Sequence, residues 1–379
     1  VTDPILLDVT SLMTMPYRSG IQRVEREAIR HWPLSDQLTL VALDPSGLIR
    51  RLPDGVRAIL APTALDAARS YDDDRDALSK ILVESDWLPE GFSQHILNLE
   101  LFYEDWRADA YVRMCRRGWR VQWLIYDFIP WLHPEMFPSG MVRSCMPYLR
   151  ALRYVSEIAF ISQQTREQFE RRIMRGHGRS GPVLPLGADG MGLEPQSWSP
   201  ERRDVVMIGS MERRKNMHLV LDAFRILWAR GVDVRLILAG RVDPGFRPAL
   251  EHFKSEASAR QLLVLDHPDD AAIRSSLRTA RAALMASEVE GFGLTPLEAL
   301  YNGVPAIASE SLPSLQSLPA QGHIALPSVT VITLADAVQA MMNDAYAEQL
   351  WTEAAKLSLP KWTDFAHAVA QWAAHTNPG

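Results

Sequence analysis

Cysteine is scarce in this chain: Cys115 and Cys145 are the two thiols in 379 residues. They lack metal-ligand spacing and cannot build a disulfide framework, which excludes a disulfide scaffold and fits a reducing compartment. No stretch approaches the ~18 uninterrupted apolar residues of a membrane-spanning helix. Excess positive charge is missing too. The formal net charge is −6 with 23% charged residues, so no basic domain of the kind that announces general nucleic-acid binding is present. His95, His133, His218 and His267 are scattered along the chain and form no metal constellation. There is no solenoid repeat and no low-complexity tract. The chain turns apolar at once, at Ile5-Leu-Leu-Asp-Val9, without the basic start and long apolar core of a secretory signal. The cytoplasm is the expected location.

What remains is a globular composition, 47% hydrophobic over 379 residues, and a length that suits two domains of roughly 100–200 residues each. Short apolar runs alternate with helix-length amphipathic stretches, the pattern of parallel α/β sheets. Strands are predicted near Ile5–Val9, Leu38–Leu43, His95–Leu99, Val121–Tyr126, Glu157–Ile161 and Pro182–Leu184 in the first half. A second set falls near Val205–Ile208, Val234–Ala239, Leu262–Leu265, Ala282–Met285, Pro305–Ala308 and Ile324–Leu326. Between them, Leu186–Arg203 carries Gly187, Gly190, Gly192, Pro195 and Pro200, which break any regular element and mark a hinge. The closing segment Lys361–His375 places Trp362, Phe365, Val369 and Trp372 at roughly helical spacing. The acidic run Tyr71-Asp-Asp-Asp-Arg-Asp76 reads as a solvated loop.

The chemistry concentrates in Glu290-Gly-Phe-Gly-Leu-Thr-Pro-Leu-Glu298. Two carboxylates flank a glycine-bracketed turn that opens into a helix. Gly291 and Gly293 allow close backbone approach, and the free N–H groups of a helix start suit an anion. A plainer reading makes Thr295 the N-cap, Pro296 the first-turn proline and Glu298 a capping-box glutamate; it leaves Glu290 and the glycine pair unexplained. A second anion-suited element, Gly209-Ser-Met-Glu-Arg-Arg-Lys-Asn216, follows the apolar run Val205–Ile208. It would deliver Arg213, Arg214 and Lys215 to the carboxyl end of a buried strand, where open parallel sheets bind ligands.

Together these segments resemble the retaining glycosyltransferases of the GT-B architecture, family 4 (glycosyl transferases group 1), which build bacterial polysaccharides and glycolipids. Glu290 and Glu298 match the family's Glu-x7-Glu signature, and Arg214 and Lys215 match its diphosphate-binding basic pair. Ser19-Gly-Ile-Gln-Arg23 looks like the N-terminal glycine loop. Pro185-Leu-Gly-Ala-Asp189 looks like the segment where the chain crosses between domains. The resemblance implies an α/β fold of two Rossmann-like domains facing each other across a cleft, with a last helix that returns to the first domain. The expected division is 1–187 with 361–379 for the acceptor domain and 188–360 for the nucleotide-sugar domain. Two departures stand out. Tyr126-Asp127 occupies the place of the family's His-Asp, so Asp127 is the substitute candidate. Ser210 stands where many members have Arg, which shifts phosphate neutralisation onto Arg214 and Lys215.

The roles that follow are those of a transferase. A nucleotide-diphosphate sugar leaves as a diphosphate, so cations and backbone donors must meet the charge growing on the leaving oxygen. Arg214, Lys215 and the turn Gly291, Phe292, Gly293, Leu294 and Thr295 fit that duty, with Ser210 beside them. Glu290 would hold the donor sugar's hydroxyls and Glu298 the ribose diol, while Gly20 lets backbone approach the phosphates. Arg23 suits a phosphate or an ordinary salt-bridged helix face equally, and Asp127 suits either catalysis or a turn. The resemblance implies that the departing phosphate takes the acceptor's proton, so Glu290 is not assigned as a nucleophile, and no metal or cofactor is required. Ser19–Arg23 and Tyr126–Pro130 look most like bacterial mannosyltransferases of O-antigen and other lipopolysaccharide or exopolysaccharide chains. That favours GDP-mannose as donor and a glycan or lipid-linked oligosaccharide as acceptor. The stretch Arg113–Arg120, with Arg143, Tyr148, Arg150, Arg153 and Tyr154, offers peripheral contact with the inner face of the cytoplasmic membrane or a solvated helix face. Two other readings stay open: a catalytically inactive sugar-nucleotide-binding protein of the same fold, and a periplasmic-type ligand-binding protein that closes about a hinge.

Overall fold

The computed structural model describes residues 4–17, 19–33, 37–62, 71–138, 140–174 and 179–375. The chain divides into two compact units, Val1–Gly187 with Pro360–Gly379, and Ala188–Leu359. Each is built on a six-stranded sheet.

In the first unit the strands are β1 Ile5–Asp8, β2 Leu38–Leu43, β3 Ile49–Arg51, β4 His95–Asn98, β5 Arg120–Ile125 and β6 Glu157–Phe160. Their order is β3-β2-β1-β4-β5-β6. All pairs are parallel except β2 with β3. The short β3 has no counterpart in the sequence reading, because two of its three residues are arginines at a sheet edge. The strand expected at Pro182–Leu184 reduces to a single bridge between Phe160 and Val183. The acidic run expected as a loop instead opens the Tyr71–Glu84 helix, with Asp72, Asp73 and Asp74 in its first turn. Negative charge at that end complements the helix dipole.

The second unit holds β7 Asp204–Ile208, β8 Arg235–Gly240, β9 Leu262–Asp266, β10 Ala280–Met285, β11 Ala306–Ser309 and β12 His323–Leu326, in the order β12-β11-β10-β7-β8-β9. Every pair is parallel. Strands covered by helices on both faces lose the in-out alternation; β7 and β10 are buried along their whole length, and apolar from Val205 and from Ala282 onward. In both sheets the strand order reverses between the first strand and the fourth. The switch points therefore lie between β1 and β4, and between β7 and β10, and at such points an open sheet splays its outgoing loops apart.

The last helix, Trp362–Ala374, returns to the first unit and packs on the Gly20–Arg30 helix. Its apolar stripe, Trp362, Phe365, Ala366, Val369, Ala370 and Ala373, is buried. Full burial of Trp362, Phe365 and Val369 stabilises by about 1.5–3 kcal/mol each. A β-carbon on Gly187 would fall 2.2 Å from the Trp362 nitrogen, so the hinge residue is glycine because the returning backbone lies against it. Residues 376–379 of the expected returning segment lie outside the described residues. No helix among the described residues is long and apolar enough to cross a membrane.

Candidate functional site

The β7–β10 switch point gathers the two motifs of the second unit. The chain leaves β7 through Gly209, whose φ of +128° is open to glycine and strained for other residues. It then bends through Ser210 and Met211 and makes a single helical turn at Arg213–Lys215. Asn216, left-handed at φ 53°, starts the Met217–Ala229 helix. The turn brings Lys215 back over the strand end: a β-carbon on Gly209 would sit 2.5 Å from the lysine Nζ. Glycine here makes room for an ammonium. Gly240, at the end of β8, would drive a β-carbon to 1.9 Å from the Gly209 carbonyl oxygen, so the neighbouring strand ends are close-packed beneath it.

The glutamate loop leaves β10 and is fastened at four points. Asn216 donates its side-chain amide to the Ala286 carbonyl at 2.9 Å, and Arg214 donates to the Val289 carbonyl at 3.2 Å. From the other side, Ser311 donates to the Glu288 carbonyl at 2.9 Å and Ser314 to the Gly293 carbonyl at 2.7 Å. Two of the four fasteners come from the basic turn itself. The turn after β7 and the loop after β10 are thus one structure.

Arg214 also forms ion pairs with Glu290 at 3.2 Å and Glu212 at 2.9 Å, with Arg214 and Glu290 exposing only 16% and 14% of their side chains. Burial works against the arginine's charge, but Glu290 and Glu212 outweigh it and hold the guanidinium above its ordinary pKa. Lys215 has no ion-pair partner among the described residues, so its ammonium and the loop amides are the uncommitted positive features here. The Leu294–Tyr301 helix starts with Gly293, left-handed at φ 89°, at its N-cap and no side-chain cap. Thr295 lies inside the helix, so the N-cap reading of Thr295 does not hold, and the first-turn amides of Leu294 and Thr295 keep no cap from it. Gly291 is buried and Phe292 is partly buried against an apolar cluster that includes Leu312 and Leu315. Glu298, at 2% exposure, lies on the covered side of that helix, and its carbonyl accepts from the Asn302 side chain at 2.6 Å.

The remaining candidates belong to the first unit. Gly20 is the first residue of the Gly20–Arg30 helix, behind Ser19, whose hydroxyl caps Gln22. A β-carbon on Gly20 would meet nothing within 4 Å. Arg23 lies on the same helix. Asp127 accepts from the Ile129 amide at 2.9 Å, which closes the turn leading to the Ile129–Leu132 helix. Tyr126 is buried and donates its hydroxyl to the Leu99 carbonyl at 2.7 Å. Burial, before the neighbouring acidic side chains, holds its phenol well above the ordinary tyrosine pKa. The surface offered for membrane contact is narrower than its sequence suggests. Tyr148 is buried against Trp123, Arg150 is paired with Asp105 and Asp109, and Arg120 with Glu157, which leaves Tyr154, 44% exposed beside Arg116, and the exposed Arg113, Arg117, Arg143 and Arg153. Among the described residues, no group of three His, Cys, Asp or Glu side chains is placed to hold a metal ion.

Residues 194–358 match the family described as glycosyl transferases group 1, a match that falls within the second unit and takes in its basic turn and glutamate loop. The fold of the whole chain is that of sucrose-phosphate synthase from Thermosynechococcus elongatus, 15% identical, with 98% of both chains covered and a TM-score of 0.66. It is also that of Anabaena HepE, solved in complex with UDP-glucose, at 14% identity, with 97% of this chain and 98% of that one covered and a TM-score of 0.65. The two six-stranded sheets and the returning helix thus give the chain the GT-B fold. In sequence it is similar to the serotype-specific mannosyltransferase WbdA of Escherichia coli, 24% identical over 204 residues, 48% of this chain and 25% of that protein. It is similar too to the alpha-1,3/1,6-mannosyltransferase ALG2 of Dictyostelium discoideum, 26% identical over 162 residues, 38% of each. The matched region therefore spans about a quarter of WbdA's length.

Proposed function

We propose that this protein is a retaining mannosyltransferase that moves mannose from GDP-mannose to a glycan or lipid-linked oligosaccharide in bacterial polysaccharide biosynthesis of the O-antigen type. The observation that carries the reading is the fastening of the basic turn to the glutamate loop at a switch point, with Lys215 left as the uncommitted cation. A nucleoside diphosphate leaving the sugar needs positive groups already in position, because fixed donors stabilise the growing charge without reorganising. Lys215 and the amides of Gly291–Thr295, with Ser210, meet the phosphates. Arg214 holds Glu290 in register for the sugar hydroxyls and neutralises charge from behind. Glu298 takes the ribose diol, which requires the residues that cover it to move aside. Gly20, Arg23 and Asp127 serve the same reaction from the first unit, as the acceptor-binding domain. The enzyme works in the cytoplasm, with Tyr154 and its neighbouring arginines as the contact for an anionic membrane.

The mannose assignment rests on the names of WbdA and ALG2, whereas HepE was solved with UDP-glucose, so donor identity is the point to test. Release of nucleoside diphosphate should be measured for GDP-mannose, UDP-glucose and UDP-N-acetylglucosamine, each with and without glycan acceptors. GDP release that is greatest with GDP-mannose and lost in Lys215→Ala supports the reading; release from a uridine donor alone overturns the sugar and base assignment. One observation favours the second reading, a sugar-nucleotide-binding protein without turnover: the Tyr126 hydroxyl, at the position of the family's histidine, is committed to the Leu99 carbonyl. Tight donor binding with no release from any donor would establish that alternative.

A further inference from the structure

The switch point of the first sheet, between β1 and β4, is filled by a buried charge cluster that the reaction above does not use. Asp8 ends β1, Glu100 follows β4, and Arg107, from the Asp105–Arg116 helix, lies between them. Arg107 donates to Asp8 at 2.7 Å and to the Ser11 hydroxyl at 2.9 Å, and also bonds Glu100. Tyr111 donates to Asp8 at 2.5 Å. Glu100 accepts the Ser11 and Leu12 amides at 2.9 and 3.0 Å. Asp8 and Glu100 are thereby satisfied as carboxylates.

Glu25 is the third acid of the cluster, with 0% exposure. Neither of its oxygens receives a hydrogen bond from the described residues, and the acid next to it is Glu100. Two carboxylates cannot hydrogen-bond without a proton between them, and an unsatisfied buried charge costs several kcal/mol. Three ionised acids against one guanidinium would leave the cluster at −2, and one proton reduces that to −1. Arg107 is already spent on Asp8 and Glu100, so Glu25 is where the proton belongs. Burial, then Glu100, drive its pKa well above the ordinary carboxyl range, with Asp8 adding to the rise and Arg107 opposing it. Tyr126, after β5, faces the same pair. The Arg57–Leu60 and Trp362–Ala374 helices also pack on the Gly20–Arg30 helix. Of their titratable groups, Arg57 bonds the Leu38 carbonyl at 2.6 Å, and Asp364 and His367 are exposed.

We infer that Glu25 and Glu100 share one proton, held on Glu25, and that this neutral contact docks the Gly20–Arg30 helix on the β1–β4 edge and fixes its first turn. Glu25 is then a positioning residue for Gly20 and Arg23; that part rests on the donor-binding role proposed for them. The proton does not.

The test is infrared spectroscopy of the full chain labelled at glutamate, at pH 7.5, with Glu25→Gln as the comparison. A protonated-carboxyl C=O band in the wild type that disappears in the variant is expected; no such band in the wild type overturns the inference without reference to any variant. Urea unfolding between pH 5 and 9 reads the same proton. The native state keeps a proton that the unfolded chain gives up above the ordinary glutamate range. The wild-type folding constant should therefore fall by about tenfold per pH unit relative to Glu25→Gln until the native group titrates; parallel pH profiles contradict it. For the positioning role, Glu25→Gln should bind donor within about threefold of wild type at pH 7.5 and hold that affinity better at pH 9; identical pH dependence removes that role. If wild type binds no nucleotide sugar, the reading of Gly20 fails while the infrared and urea results still decide the proton.

Discussion

Gly209→Ala tests the seat under the ammonium without removing a charge. The new methyl would lie 2.5 Å from the Lys215 Nζ, well inside the ~3.5–4 Å of ordinary contact, so the flexible lysine must swing away by about 1 Å or more. A left-handed φ of +128° adds backbone strain of roughly 1–3 kcal/mol. For a unit of this size, 1 kcal/mol moves the melting temperature by about 2–4 °C, so Tm should fall by roughly 2–12 °C. A hydrogen bond from a charged donor is worth about 1.5–3 kcal/mol. Losing it to a diphosphate weakens donor binding by roughly 10- to 150-fold. Calorimetry and thermal unfolding on Gly209→Ala, Lys215→Ala and the double variant separate the effects. Since both single changes remove the same contact, the double variant should bind no more than about threefold weaker than the worse single one. Wild-type affinity in Gly209→Ala, or full additivity in the double variant, would refute the reasoning.

Other outcomes follow from the same geometry. Arg214→Gln and Glu290→Gln should each cost stability and donor affinity, and their double-mutant cycle should show coupling of about 1–2 kcal/mol; a coupling near zero would mean that the pair does not hold the loop. Gly240→Ala forces a methyl onto the Gly209 carbonyl, a backbone clash with no easy relief, and should lower Tm by more than Gly209→Ala does. Tyr126→Phe removes the bond to the Leu99 carbonyl and should destabilise by roughly 1–3 kcal/mol while turnover stays within about threefold; a large loss of turnover would give the phenol a catalytic part. Trp362→Ala should cost about 3–5 kcal/mol, read as early unfolding of the first unit in a thermal scan.

The parallel sheets were legible because β7 and β10 carry the apolar runs Val205–Ile208 and Ala282–Met285, and the returning helix because its aromatic residues recur at helical spacing. Both anion-suited motifs were legible for the same reason: glycine, charge and helix start lie within a few residues of each other. Their fastening was not. The contacts of Arg214 and Asn216 with the glutamate loop join segments far apart in the chain, and only the adjacency of β7 and β10 brings them together. Arg214 and Asn216 are the fasteners with a local signal, since both lie in the basic motif. Asp8, Glu25, Glu100 and Arg107 were invisible in the sequence because each, read alone, is an ordinary charged residue at a strand end or on a helix, and their burial depends on four separate elements. Thr295 misled for the opposite reason: its local cap pattern is good, but Gly293 starts the helix earlier.

The most direct test of the central claim is a calorimetric titration of the protein with GDP-mannose, UDP-glucose, UDP-N-acetylglucosamine and the free nucleoside diphosphates, repeated with Lys215→Ala. Micromolar binding of one donor and its diphosphate, weakened by roughly 10- to 150-fold in the variant, is the predicted result. Donor binding that is indifferent to Lys215 would contradict the claim that the β7–β10 switch point is the diphosphate seat.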